Sequence, residues 1–170
     1  MWRTSAFLIC LTVLTMSSVP AVAQESLGEL VTQAGYDAVI GKWKGTDDQG
    51  QSCTLEYKWA LDKHVITVDV TMGDLRYHGM IMFVPSRQEV IQVGADNMGG
   101  TWNGTWDEDY EGLANRSERL QSDGTKQRME HVYITVDENT FKVKEYPVES
   151  DGWRASSPRG EMTFKRQKAN

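Results

Sequence analysis

Three histidines, a run of acids and a pair of tryptophans are the residues here whose types and spacing could do chemistry. A catalytic zinc commonly takes three protein ligands. His64, His78 and His131 fall on separate predicted strands, without the H-x-H or H-E-x-x-H spacing that pre-aligns a pair. The pattern therefore assigns no metal. His131 alternates with Met129 and Tyr133 in RMEHVYITV. If that set faces a cavity, an imidazole and a phenol enter it together. If Val132, Ile134 and Val136 face inward instead, His131 meets solvent. The β-branched residues favour this second register.

The acids Asp107, Asp109, Glu111 and Glu118, with Gly112, occupy positions one, three, five, twelve and six of an EF-hand-like loop. Glu111 departs from the usual Asp or Asn, and the flanks read as strands where an EF-hand needs helices. An acidic, solvated hairpin turn is the expectation. For nucleophilic catalysis there is no G-x-S-x-G elbow, and Cys53 has no histidine near it in sequence. General acid–base chemistry needs no motif. Arg116, Glu118 and Arg119 lie in a polar strand that could turn one charge inward, and an interior Arg116 would anchor an acidic ligand head. Nothing in the sequence implies a cofactor.

The tryptophans stand in GGTWNGTWDEDYEG, residues 99–112, with Trp102 and Trp106 four residues apart. On one strand they share a face, with Gly104 leaving a slot between them. Asn103-Gly104 is also a type I′ hairpin signal, which would place the rings on opposite faces. The continuous strand is preferred, because Thr101-Trp102 alone would be a stub.

The elements that must position these residues follow from period-two patterning. Cys53, Leu55, Tyr57, Trp59 and Leu61 alternate with Thr54, Glu56 and Lys58. Further strands are predicted at 41–46, 64–72, 75–84, 89–95, 101–106, 113–121, 126–136, 140–146 and through Met162 and Phe164. Turn residues such as Gly73-Asp74 and Ser122-Asp123-Gly124 separate them. Before the strands, Leu27, Leu30 and Val31 have helical spacing, with Gly35 as a stop. The connections are too short for crossover helices, so antiparallel meander pairing follows. The expected fold class is all-β: one up-and-down barrel of about eight to ten strands with a short N-terminal helix, closed so that no edge is exposed.

The start of the chain carries Arg3, an apolar run from Ala6 to Met16, and Ala21-Val22-Ala23. This is the plan of a secretory signal peptide over residues 1–23. The run is short of the roughly 20 residues of a span, so cleavage, and no stable membrane anchor afterwards, is expected. The domain is then 24–170, in a secreted or periplasmic protein. Losing Arg3 moves the formal net charge from -6 to -7. That balance, with no clustered Lys and Arg, excludes nucleic acid as a natural partner. Cys53 remains as a lone cysteine, which cannot close an internal disulfide and reads as a buried hydrophobe.

Gly41-Lys42-Trp43, extended by Gly45, opens the first strand after the helical lead-in. It resembles the G-x-W opening of lipocalins and related calycin barrels. The later order, Trp102 to Asp107 with Gly112, Val136 to Phe141, then Met162 to Arg166, is similar to small bacterial lipocalin-like proteins grouped as DUF1579. The likeness spans roughly residues 36 to 166. It implies that Gly41 and Trp43 close one end of the barrel. The ten-stranded heme barrels of the nitrobindin type also open with G-x-W-x-G. Their iron ligand is a histidine near the C-terminus, whereas the last histidine here is His131.

The reading is a barrel that binds a small, largely apolar molecule without turning it over. The expected contacts are Tyr57, Trp59, Trp102, Trp106 and Met129, with His131 or Arg116 as polar partners. The methionines that remain after cleavage suit such a pocket and suit an ordinary core equally. The alternatives are an acid–base enzyme acting on an apolar metabolite, and a filled barrel that works through its loops, with an exposed aromatic patch around Trp153 or Tyr110.

Overall fold

The computed structural model describes residues 26–47 and 50–168. The segment read as a signal peptide lies outside the described residues. The elements are α1 (Leu27–Gln33), a 3-10 turn (Asp37–Val39), β1 (Gly41–Thr46), β2 (Ser52–Ala60), β3 (Val65–Met72), β4 (Leu75–Val84), β5 (Glu89–Asp96), β6 (Thr101–Asp109), β7 (Gly112–Leu120), β8 (Lys126–Asp137), β9 (Thr140–Pro147) and β10 (Gly160–Arg166). The strands follow chain order around a closed barrel, and β10 pairs back onto β1. Every pairing is antiparallel. The lower end carries α1 and the turns at 61–64, 85–88, 110–111 and 138–139. The upper end carries Asp47, Gly50 and Gln51 and the connections 73–74, 97–100, 121–125 and 148–159.

Alternation drives this. In β2, Cys53, Leu55 and Tyr57 are buried, and their neighbours are not. Leu61 does not extend that face: β2 stops at Ala60, and Leu61 is 73% exposed. Leu61, Asp62 and Lys63 have φ of 47°, 51° and 67°. Left-handed backbone costs a residue with a Cβ about 1–2 kcal/mol. The turn so formed presents the Lys63 carbonyl to the Gly28 amide at 3.0 Å and docks α1. A Cβ on Gly28 would sit 2.8 Å from Lys63 Cβ, so the helix approaches this closely only through glycine. The helix opens with a capping box between Ser26 and Glu29 and stops before Gly35 at φ +75°.

Closure rests on Trp43 and Arg166. Trp43 is buried and donates from Nε1 to the Val39 carbonyl at 2.8 Å. The Arg166 guanidinium lies 4.2 Å over its ring. Its Nη1 donates to the Ile40 carbonyl at 2.9 Å, and its Nη2 to that of Ala38. Gly41, at φ +136°, gives way to this arginine: a Cβ there would lie 2.6 Å from Nη1.

The wall of β7, β8 and β9 is apolar on its outer side too. Ala114, Val132 and Tyr146 form a separate buried cluster, backed by Ile134. The connection 148–159 brings Arg154 back to this wall, 4.7 Å from the Tyr146 ring and 5.2 Å from that of Tyr110. Arg154 Nη1 donates to Asp109 at 2.9 Å and to Glu130 at 2.8 Å.

Two substitutions check this account. Arg166→Ala removes a cation from Trp43 and donors from the carbonyls of Ala38, Ile40 and Glu138, and should lower unfolding free energy by about 2–3 kcal/mol in urea denaturation. Leu61→Gly relieves a left-handed side chain that buries little. It should leave stability unchanged or raise it by up to about 1 kcal/mol, where an ordinary strand position would lose stability to glycine.

Candidate functional site

The barrel interior holds two cavities among the described residues. The upper, about 590 Å³, reaches from Asp47 and Gln51 down to Leu55, Tyr133 and Phe164. The lower, about 400 Å³, lies between α1 and the inner faces of β2 to β8. Tyr133 lines both. Its hydroxyl hydrogen-bonds that of Tyr57, and burial pushes its pKa up to about 12. Trp106 lies 5.0 Å from its ring and Phe141 6.0 Å. These rings form a partition across the barrel.

Strand β6 is continuous, so the hairpin at Asn103-Gly104 does not form, and Trp102 and Trp106 point inward together. They serve different cavities, Trp102 the upper and Trp106 the lower. Each indole is held. Trp102 donates to Asp96 at 2.8 Å, and Trp106 donates to Gln92 at 3.0 Å. Gln92 in turn donates to the Tyr77 hydroxyl at 3.0 Å. The Tyr77 ring lies across Gly79 and Gly94, where a Cβ would meet its oxygen at 2.1 and 2.5 Å. Asp96 also takes Arg119, which lies 5.3 Å from the Trp102 ring centre, together with the amides of Met98 and Gly100. Burial pushes the Asp96 carboxyl up, but the bonds from Trp102, Gly100, Met98 and Arg119 outweigh it and hold the pKa below the ordinary value.

His131 faces the upper cavity, against the register that the β-branched residues favoured. Val132 and Ile134 turn outward into the cluster beneath Arg154. An apolar outer face is affordable there because it is covered. His131 pairs across the sheet with Asn115 and with Glu145. Neither ring nitrogen hydrogen-bonds a described residue. Burial lowers its pKa, Glu145 and Glu130 oppose that, and Arg159 reinforces it; the net shift is downward.

The other expected contacts divide. Tyr57 lines the lower cavity, at the partition. Trp59 packs against the core and lines neither cavity. Met129 is buried but also lines neither. Arg116 projects outward, opposite to Asn115 and Ser117, and binds Glu130 at 2.6 Å. The expected interior Arg116 is thus corrected: the inward charge of β7 is Arg119, bound to Asp96, and the arginine on the cavity wall is Arg159, whose Nη2 donates to Glu145. Sequence reasoning missed Asn115, Ser117, Glu145 and Arg159. The period-two partners of His131 across β7 and β9 would have found the first three once the register was known. Arg159 lies in a connection with no periodicity.

The acids of the loop-like motif are separately engaged. Asp109 meets Arg154 at 2.9 Å, Glu111 meets Lys144, and Glu118 meets Lys126 and Arg128 at 2.9 Å each. A two-residue hairpin, closed by the Asp109–Gly112 pair, replaces the calcium loop. His78 is outside, 2.7 Å from Asp69, and His64 is exposed in its turn, so the histidines do not converge. Cys53 faces the upper cavity, and burial raises its thiol pKa to about 11.

No protein-family model matches the chain, and no curated protein matches it.

His131 has a pH consequence. Its folded pKa lies below the unfolded value near 6.5. The unfolded chain therefore binds the extra proton first, and stability falls as pH drops below about 6.5, by at most about 1.4 kcal/mol per pH unit. His131→Gln should flatten this part of the profile in urea midpoints measured between pH 7.5 and 5.5.

Proposed function

We propose that this is a secreted or periplasmic, lipocalin-like protein, of the kind grouped as DUF1579, that binds a small, largely apolar molecule without turning it over. The observation that carries the reading is the upper cavity of about 590 Å³, with Leu55, Val70, Tyr77, Trp102, Val143 and Phe164 on its wall. That volume is in the range of pockets that bury a drug-sized ligand. A few polar groups converge on it from β7, β8 and β9, as such sites require. The open interior supports this reading over a filled barrel acting through its loops, although Tyr110 and Trp153 are 83% and 73% exposed.

A second reading has one observation in its favour. His131, unbonded and with a lowered pKa, sits in the cavity beside Glu145, as a general base would. Turnover of a bound molecule that stops in His131→Gln while binding persists would establish it.

The binding reading is tested by purifying the mature protein gently and comparing its native mass with its denatured mass. A native excess that vanishes on denaturation is expected, and its extraction names the ligand class. Val143→Trp, which fills the upper cavity, should abolish that excess in a protein that still folds. No excess, with no uptake from a lipid extract, would end the proposal.

A further inference from the structure

The lower cavity is a second enclosure with a chemistry of its own. It measures about 400 Å³, with Leu27, Leu30 and Val31 of α1 and Ile81, Phe83 and Val90 of the barrel on its wall. The polar groups at its depth are engaged within the protein. The hydroxyls of Tyr57 and Tyr133 hydrogen-bond each other, and the Trp106 indole donates to Gln92 at 3.0 Å. The Gln88 amide donates to the Pro85 carbonyl at 2.9 Å. A molecule that fills this space must be apolar along its buried length and carry a polar end at the mouth.

The mouth is where charge enters. Trp106 points inward from β6, and Glu108 follows it two residues on, along the same face. Glu108 pairs across the sheet with Leu113, and both line the cavity. Asp107 belongs to the outer face, paired with Ala114 of the outer cluster, and its carboxylate accepts the Glu108 amide at 2.9 Å. The Glu108 carboxylate itself meets no cation and no donor among the described residues. Tyr36, just after α1, also lines the cavity; burial first, and then the Glu108 charge, push its phenol pKa up. No Lys, Arg or His is among the described residues that line it. Of the cations in the lower turns, Arg87 is held by Glu89 at 3.3 Å, and Lys63 packs on Gly28.

A carboxylate head at this mouth would meet a like charge with no cation on the wall to offset it. A hydroxyl would gain nothing from the charge. An ammonium would meet an unpaired carboxylate, with the Tyr36 ring on the same wall. It would remain at the water while its chain is buried, so the cost of desolvating it is small.

We infer that the lower cavity is a second binding site that takes an amphiphilic cation, its apolar chain in the cavity and its ammonium head at the mouth on Glu108. This goes beyond the reading of the upper cavity and does not rest on it.

The test is calorimetric titration of the purified protein carrying Val143→Trp, which fills the upper cavity, with 1-decylamine, 1-decanol and decanoate at pH 7.5 and low salt. Decylamine should bind with a Kd about threefold or more below that of decanol, the size of an ion pair at a wet rim, and decanoate should bind most weakly. Added salt should narrow the gap between decylamine and decanol. Glu108→Gln, at an exposed position, should bring decylamine level with decanol and leave decanol unmoved. Glu108→Lys should put decanoate ahead of decylamine, a reversal that a misfolded chain cannot give. Val90→Trp fills the lower cavity and should abolish binding of all three. The difference between the parent protein and Val90→Trp gives the same quantity without Val143→Trp. Decylamine no tighter than decanol, a preference unchanged in Glu108→Gln, decylamine binding that survives Val90→Trp, or no binding of any of the three overturns the inference. The native mass excess of the parent protein and its loss in Val143→Trp report on the upper cavity separately.

Discussion

Arg154, bonded to Asp109 and Glu130 on the outside of the barrel, decides what the inside contains. A strand in a closed sheet has two faces, and a half-buried strand spends its apolar residues on the inner one. Around Ala114, Val132 and Tyr146, strands β7 to β9 are covered on both sides. The returning connection, with Arg154 against Tyr146, gives Val132 a place to be fully buried at 0% exposure without entering the barrel. The inner face is thereby released from supplying hydrophobic burial and can hold Asn115, Ser117, His131 and Glu145. Glu130, itself only 3% exposed, is the least replaceable part of this cover, because it binds both Arg116 and Arg154. Taking away one of those cations would leave a buried carboxylate short of a partner.

This explains where the sequence was legible. Where one face of a strand meets water, alternation reports orientation directly, and Cys53, Leu55 and Tyr57 were assigned inward on that basis and are buried. Strand number, antiparallel order, the short helix and its glycine stop follow from the same pattern joined to turn residues. The β8 strand misleads because its apolar set marks a second buried face. Nothing local to RMEHVYITV reveals that a segment more than ten residues downstream will fold over it. Arg116 misleads for the same reason, since its partner Glu130 lies on the neighbouring strand and register alone brings them together.

The tryptophans show the reverse case. Their shared face was readable from a spacing of four, yet their separation into two chambers was not. That depends on Tyr133, contributed by a strand two positions away around the sheet, and on Tyr57 meeting it from the opposite wall. Polar demands on the aromatic residues are then met inside the protein, through Gln92 and Asp96. The rings are fixed as walls.

The hydrogen-bonded pair Tyr57 and Tyr133 stands between the two cavities. Asp47, Gln51 and Arg159 line the upper chamber, whereas α1 forms a wall of the lower one and is bonded to the Lys63 carbonyl through Gly28. One chain of this size thus holds two chambers back to back, one beneath connecting segments and one beside a helix.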